Sequence, residues 1–389
     1  MSRLTYKHTL AASYIGYITQ AVVNNLIPLL FVTFAEQFGI SLVQISMLIV
    51  LNFGVQIVID TLAAAFIDRI GFRRGAVIAH VCAAIGLFAL GALPFLIKPP
   101  IIGIIISVIF SAVGGGLCEV VISPVVESLP LENKAANMSI LHSFYSWGQM
   151  AVVLFSTLYF VTAGIDRWNI LPMLWALIPA LNAVLFAAVP LCVLCEPEEK
   201  MSLLTLVTSP AFLLLFLLMF CAGASELAMS QWASYFAEQG LHVSKTVGDM
   251  LGPCAFALTM GCSRVFFARL EKYFDLKTLL ALSGGMCIIT YLIAALSPWP
   301  VLALFGCAFC GMSVGMMWPG VISLAAQKYK RGGGTMFALL AIGGDIGCTF
   351  GPWLVGIIAN AAGRLQTGLL FAIIFPMVML TGCLKLRKK

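Results

Sequence analysis

Four carboxylates stand where the chain offers them almost nothing polar: Glu119, Glu226, Asp60 and Asp345 each lie inside a long apolar run. A charged side chain at the centre of a bilayer costs roughly 2.5 kcal/mol or more, so such an acid is protonated, paired or open to water. Glu119 is the plainest case. It follows Gly114, Gly115 and Gly116 and precedes Ser123 and Pro124. Desolvation disfavours its charged form, so it could load a proton on one side of a barrier and release it on the other as its hydration changes. The plain alternative is a neutral acid hydrogen-bonded to a neighbouring helix. The glycines beside it permit close helix approach or a local distortion of the backbone.

The other acids come with their own neighbours. Ser230 and Ser234 follow Glu226 at helical spacing, and Gln231, Trp232 and Tyr235 lie close by. Carboxylate and amide groups exchange hydrogen bonds with hydroxyls, and an aromatic ring stacks on a C–H face, so this group suits a sugar. Its alternative is an outer-gate network with aromatic anchors at the interface. Asn52, Gln56 and Asp60 recur every fourth residue and form a polar stripe on one helix face. Asp60 could take a proton or cation there, or pair with an arginine as an inner gate. His142, Tyr145 and Gln149 share one broad face. His142 could relay a proton or line a cavity, and Gln149 is the better sugar ligand. Asn24 and Asn25, with Gln20, offer neutral ligands. Asp345 is expected to pair with Arg264 in a gating salt bridge. Trp318, followed by Pro319, is either a cavity wall at a hinge or an aromatic packed beside a kink.

The elements that must position these groups follow from composition. Of 389 residues, 61% are hydrophobic and 10% charged, against about 25% charged in soluble domains. The chain therefore reads as an all-α integral membrane protein. A membrane β-barrel would alternate apolar and polar residues, and the sequence does not. Segments of about 20 apolar residues number twelve, from Thr9–Phe34 to Thr367–Leu384. With both termini inside, the 22 Lys and Arg residues divide into 18 inside and 4 outside. This is the positive-inside pattern. It points to a multi-pass plasma-membrane protein, in a bacterium the inner membrane, with cytoplasmic termini. The net charge of +6 is spread over these loops and forms no nucleic-acid stripe. The twelve cysteines read as reduced packing residues, and no metal-ligand pattern is present.

The acidic linker at residues 195–209 divides the chain into six-helix bundles at 1–194 and 210–389, and Leu203–Ser209 is placed along the membrane surface. The halves repeat weakly. Glycines, Ser123 and Pro124 close the fourth helix; Gly311, Gly315, Trp318 and Pro319 mark the tenth. Two pseudo-symmetric six-helix halves, with a site between them near the midplane, are the expected design of a secondary transporter.

After the second helix, Ala64, Asp68, Arg69, Gly71, Arg73 and Arg74 are spaced as in the major facilitator superfamily signature, with Ala64 at its first Gly. The resemblance covers the whole chain and implies the major facilitator fold. It makes Asp68, Arg69, Arg73 and Arg74 an inside latch. Three stretches further resemble the fucose–proton symporter family: Asn24-Asn25-Leu26, Gly116 to Glu119 and Pro124, and Gly223 to Glu226, Trp232 and Tyr235. That family's helix-one Asp is replaced here by Ile27-Pro28. The resemblance implies uptake of a monosaccharide with a proton, with Glu119 as the helix-four carboxylate.

The resulting expectation is alternating-access symport of a monosaccharide or similar small polar solute. Protons are the expected driver, with sodium as the other ion that carboxylate and Asn oxygens suit. The chain is expected to be a monomer without cofactor. The competing reading is proton-coupled efflux of drugs or metabolites, with a cavity built from the 17 Met and 27 Phe. An enzyme is not expected: Ile342-Gly-Gly-Asp345 lacks the first Gly of an aspartyl-protease Gly-x-Gly-Asp turn, and a zinc protease's His-Glu-x-x-His is missing; the missing P-loop leaves ATP-driven pumping unsupported.

Overall fold

The computed structural model describes residues 4–40, 42–132, 134–192, 201–237, 241, 243–270 and 273–387. Throughout those residues the regular structure is helical. The first expected segment is α1 (Tyr6–Asn25), a single 3₁₀ turn at Ile27–Leu30, and α2 (Phe31–Phe38). Pro28 lacks an N–H and fits that turn. Then come α3 (Leu42–Ile70), α4 (Phe72–Leu96), α5 (Pro100–Ser128) and α6 (Lys134–Ala163). The sixth segment is divided into α7 (Ile170–Trp175) and α8 (Leu177–Ala188). After the short α9 (Leu203–Val207), α10 (Pro210–Ser230) and α11 (Ala233–Tyr235) form the seventh. The eighth is α12 (Lys245–Asp249), a π turn at Met250–Cys254 containing Pro253, and α13 (Ala255–Leu270). The remainder is α14 (Leu276–Leu296), α15 (Pro300–Val314), α16 (Met317–Lys328), α17 (Gly333–Ala362), α18 (Leu365–Ala372) and α19 (Ile374–Arg387).

Every one of the twelve expected segments thus coincides with a helix or a broken helical run among the described residues. Ten are long and apolar enough to cross a membrane, and a shorter apolar stretch, Met47–Ala63, lies within α3. Helix α1 falls short of that measure because it carries Thr9, Ser13, Thr19, Gln20, Asn24 and Asn25, all of them buried. The polarity of the whole is inverted relative to a soluble protein. Val301 is 78% and Leu96 75% exposed, whereas Asp60 is 0% and Glu226 5% exposed. Such an apolar exterior matches lipid, not water.

The chain forms two compact units, residues 1–130 with 151–195 and residues 131–150 with 196–389. The first contains α1 to α5, the later part of α6, α7 and α8. Helix α5 packs against α1, α3 and α4, and small residues make this possible. A Cβ on Gly114 would lie 2.6 Å from the Ala83 nitrogen, and one on Gly103 2.6 Å from the Leu93 carbonyl carbon. Gly116 faces Gln56, Ile59 and Asp60 of α3. The three consecutive glycines are therefore used to bring two different helices against α5, as close helix packing requires. At one end, Trp168 is fully buried among Leu30, Phe34, Leu90 and Ile104, and its indole N–H donates to Gln37 Oε1 at 2.6 Å.

In the second unit, α10 and α17 make the most extensive contact. Gly343, Gly347 and Gly351 recur every fourth residue and meet Phe216, Phe220 and Ala224 of α10, while Gly223 meets the Gly344 carbonyl. Here too, one strip of small residues lets two backbones touch. Tyr291 of α14 donates to the Ser225 carbonyl at 2.7 Å and braces α10 beside Glu226.

Candidate functional site

The first unit holds a buried polar seam between α1, α3 and α5. Gln20 of α1 donates from Nε2 to Glu119 Oε2 at 2.5 Å. Three residues before Gln20, the Tyr17 hydroxyl is 2.7 Å from Ser123 Oγ, four residues beyond Glu119. Four residues after Gln20, Asn24 Oδ1 accepts from Asn52 Nδ2 and from Gln56 Nε2, both at 3.0 Å. One carbonyl oxygen thereby joins α1 to two turns of α3. The remaining amide oxygens, Asn52 Oδ1 and Gln56 Oε1, are buried without a hydrogen-bond partner, an arrangement suited to receiving a donor. Asp60 is fully buried one turn beyond Gln56, and its Oδ1 lies 3.3 Å from a Cβ position built on Gly116. Asn25 turns its amide back to the Ala21 carbonyl at 2.9 Å. Of the residues expected here, Glu119, Asn24, Gln56 and Asp60 are therefore brought to one seam, and Gln20, Asn52, Tyr17 and Ser123 join them.

The second unit is organised around Arg264, which is 2% exposed. Its Nη2 lies 3.2 Å from Glu226 Oε2. Its Nη1 donates to the His142 carbonyl at 2.7 Å and to Ser146 Oγ at 3.0 Å, and its Nε to the Gly315 carbonyl at 3.1 Å. Its Cζ sits 6.0 Å from the Tyr145 ring centroid, within reach of a cation–π attraction. The Gly315 carbonyl is available for a local reason. The residue four places on is Pro319, which has no N–H to offer it. The Trp318-Pro319 pair therefore supplies a main-chain acceptor to a buried cation. Arg264 is set against Glu226, so the region expected to bind substrate and a residue expected to gate meet in one cluster. Asp345 is buried on α17.

The remaining candidates are distributed as follows. Gln231 and Trp232 fall at the break between α10 and α11; Gln231 Oε1 is buried without a hydrogen-bond partner, and Trp232 Nε1 donates to the Pro352 carbonyl at 3.0 Å. Trp318 packs its ring on Gly344. Gln149 is buried near the middle of α6. Arg73 Nη1 donates to the Phe186 and Ala187 carbonyls at 3.1 and 2.8 Å. It thus tethers the start of α4 to the last carbonyls of α8, where a cation is favoured. Arg74 is exposed; the side chains of Asp68 and Arg69 lie outside the described residues, as do residues 195–200 of the expected linker.

Sequence reasoning missed one buried group entirely. His80 is bonded to the Ala76 carbonyl at 2.7 Å and to Asn182 Nδ2 at 2.8 Å, and that amide also donates to the Ala12 carbonyl at 3.0 Å. This knot ties α1, α4 and α8. Its only signal in sequence was a His and an Asn inside apolar runs.

Among the described residues, the regular structure is helical, the exterior is lipid-compatible and several acids are buried, which defines a multi-pass integral membrane protein. The family model of the Major Facilitator Superfamily matches residues 13–352 and again 215–388, and the chain belongs to that superfamily. Among solved structures, it is similar to the major facilitator superfamily transporter FucP in its outward conformation. The TM-score is 0.78 with 16% identity, covering 98% of each chain; a point variant of the E. coli fucose:proton symporter FucP gives 0.77 and 17%. The proton:xylose symporter XylE bound to 6-bromo-6-deoxy-D-glucose aligns at 0.78 with 14% identity over 98% of this chain and 94% of that one. The human organic anion transporter MFSD10 aligns at 0.76 with 13% identity over 97% and 99%. At these identities the likeness concerns the fold. The membrane protein MosC of Rhizobium meliloti is 27% identical over 157 residues, a match spanning 40% of this chain and 38% of that protein.

Proposed function

We propose that the chain is a proton-coupled symporter that takes up a monosaccharide or similar small polar solute by alternating access. The observation that carries this reading is the Gln20–Glu119 pair, a carboxylate held by a neutral amide in the middle of an apolar helix. A neutral partner stabilises either protonation state of an acid, whereas a fixed cation would hold it ionised. Glu119 is thus the proton carrier in this reading, and Asp60 a second titrating acid on the same seam. A proton drives transport only if it binds the two conformational states with different affinity.

Solute hydroxyls are assigned to Asn24, Asn25 and Gln56 in the first unit, and to Glu226, Gln231, Trp232, His142, Tyr145, Gln149 and Trp318 in the second. Asp68, Arg69, Arg73, Arg74, Arg264 and Asp345 belong to the gates. Structural neighbours that carry fucose or xylose with a proton support the reading. The distribution of basic residues supports a bacterial inner membrane location with cytoplasmic termini. No cofactor is needed, and the working unit is a monomer.

The test is uptake of labelled monosaccharides into proteoliposomes under an imposed inward proton gradient, with a sodium gradient in parallel. Accumulation of one sugar under the proton gradient supports the proposal, and accumulation under the sodium gradient alone overturns its choice of driving ion. Failure of every sugar under both gradients overturns it and moves the reading to efflux of hydrophobic cations.

A further inference from the structure

The cluster in the second unit carries an inference about the kind of solute. Three of the bonds that Arg264 makes do not involve an acid: those to the carbonyls of His142 and Gly315 and to Ser146 Oγ. These fix the guanidinium in place whatever Glu226 does. Glu226, by contrast, meets it through Oε2 at 3.2 Å, longer than the roughly 2.7–2.9 Å usual for a charge-assisted pair. The cation is thus held by two carbonyls and a hydroxyl independently of Glu226, whose carboxylate meets it through one oxygen.

A guanidinium buried to this degree needs a negative partner, since removing one member of a buried pair leaves an uncompensated charge. A neutral hydroxyl cannot displace Glu226 from it; a second carboxylate can. A planar carboxylate also matches the two-pronged geometry of Arg better than a hydroxyl does.

We propose that the solute bears a carboxylate, and that this carboxylate takes the place of Glu226 on Arg264. The inference rests on the reading of the chain as a symporter of small polar solutes, and it narrows the solute to sugar acids and comparable hydroxylated organic acids. Glu226 then acts as a placeholder in the empty site. When the anion arrives together with a proton on Glu226, the charge of the cluster is unchanged. Among the described residues, the titratable side chains of residues seen against the cluster are Tyr291 on α14, bonded to the Ser225 carbonyl beside Glu226, and His142 and Tyr145 on α6. Among these and Glu226, Arg264 supplies the positive charge that an anion can use.

The experiment separates binding from transport. Isothermal titration in detergent compares D-galacturonate and D-glucuronate with D-galactose and D-glucose, on the wild type and on Glu226→Gln and Arg264→Lys. The expected result is at least tenfold tighter binding of one uronate than of its neutral parent. Glu226→Gln should strengthen uronate binding several-fold, because the internal competitor is gone. Arg264→Lys keeps the charge and loses the fork, and should weaken uronate binding at least tenfold. Equal or tighter binding of the neutral sugar overturns the inference, as does weaker uronate binding in Glu226→Gln or a failure of both uronates to bind. Accumulation under a proton gradient is measured on the same preparations. Galactose bound and accumulated without the uronate sinks this inference and leaves the symport reading standing. A uronate that binds as expected but is not accumulated supports the carboxylate site and sinks the symport reading.

Discussion

Gly315 offers its carbonyl to Nε of Arg264 at 3.1 Å, and it does so because Pro319, four residues later, has no N–H to claim it. The backbone at Gly315 and Met316 stays in the right-handed helical region, so only the missing donor separates α15 from α16. Pro319→Ala restores that donor, which then competes with Arg264 for the carbonyl. The helix itself gains, since Pro is about 3 kcal/mol worse than Ala in a helix interior. The expected result is a melting temperature equal to or above wild type, together with weaker stabilisation by bound solute. A lower melting temperature with unchanged solute binding counts against this account.

Arg264 and Glu226 are expected to behave as a coupled pair. Replacing either alone, Arg264→Met or Glu226→Leu, leaves a buried charge and should cost about 3–5 kcal/mol. The double replacement should cost clearly less than the sum, with a coupling energy above roughly 1 kcal/mol. Reversible unfolding in mixed micelles measures all four species. Simple additivity would mean that the contact seen between Arg264 Nη2 and Glu226 Oε2 does not contribute.

Glu119→Gln should keep the fold, because an amide can still bond to Gln20. Accumulation against a gradient should disappear while solute counterflow persists, as measured in proteoliposomes. Loss of counterflow as well would place Glu119 in solute binding instead. Gln20→Leu removes one donor from a buried carboxylate and should destabilise by about 1–3 kcal/mol; adding Glu119→Gln should recover part of that loss.

The glycine contacts make a prediction that discriminates between positions. Gly114→Val and Gly347→Val put side chains into neighbouring backbone, and overpacking of this kind costs about 1–3 kcal/mol, occasionally more. Both should reduce the yield of monodisperse protein in size-exclusion chromatography. Gly54→Ala and Gly285→Ala meet nothing within 4 Å and should be neutral or stabilising by up to about 1 kcal/mol. Similar yields for all four would argue against the α4–α5 and α10–α17 contacts as described.

Much of this molecule is written locally. Apolar run length sets where helices form, and the prolines at 28, 253 and 319 set where they break or lose a bond. The acids and amides worth examining were visible because a polar group in an apolar run is costly wherever its partner lies. The glycines near Glu119 were visible too, as sites of close approach. What they approach was not. The repeat Gly343, Gly347, Gly351 does not say that its partners are Phe216, Phe220 and Ala224 on α10.

Partnership is where the sequence stops. Gln20 is 99 residues from Glu119, and Arg264 is 38 from Glu226 and 122 from His142. A carboxylate's need for a donor is a property of the residue, and is legible from its type and surroundings. Which of several buried donors meets it depends on how helices far apart in the chain pack, and that is decided by the sum of many small side-chain contacts. The chain by itself determined a helical membrane protein with a few acids that had to be satisfied. Only the tertiary structure decided that Glu119 is held by a neutral amide and Glu226 by a buried cation, because hydrogen bonds and ion pairs are set by distances of a few ångströms that spacing along the chain does not encode.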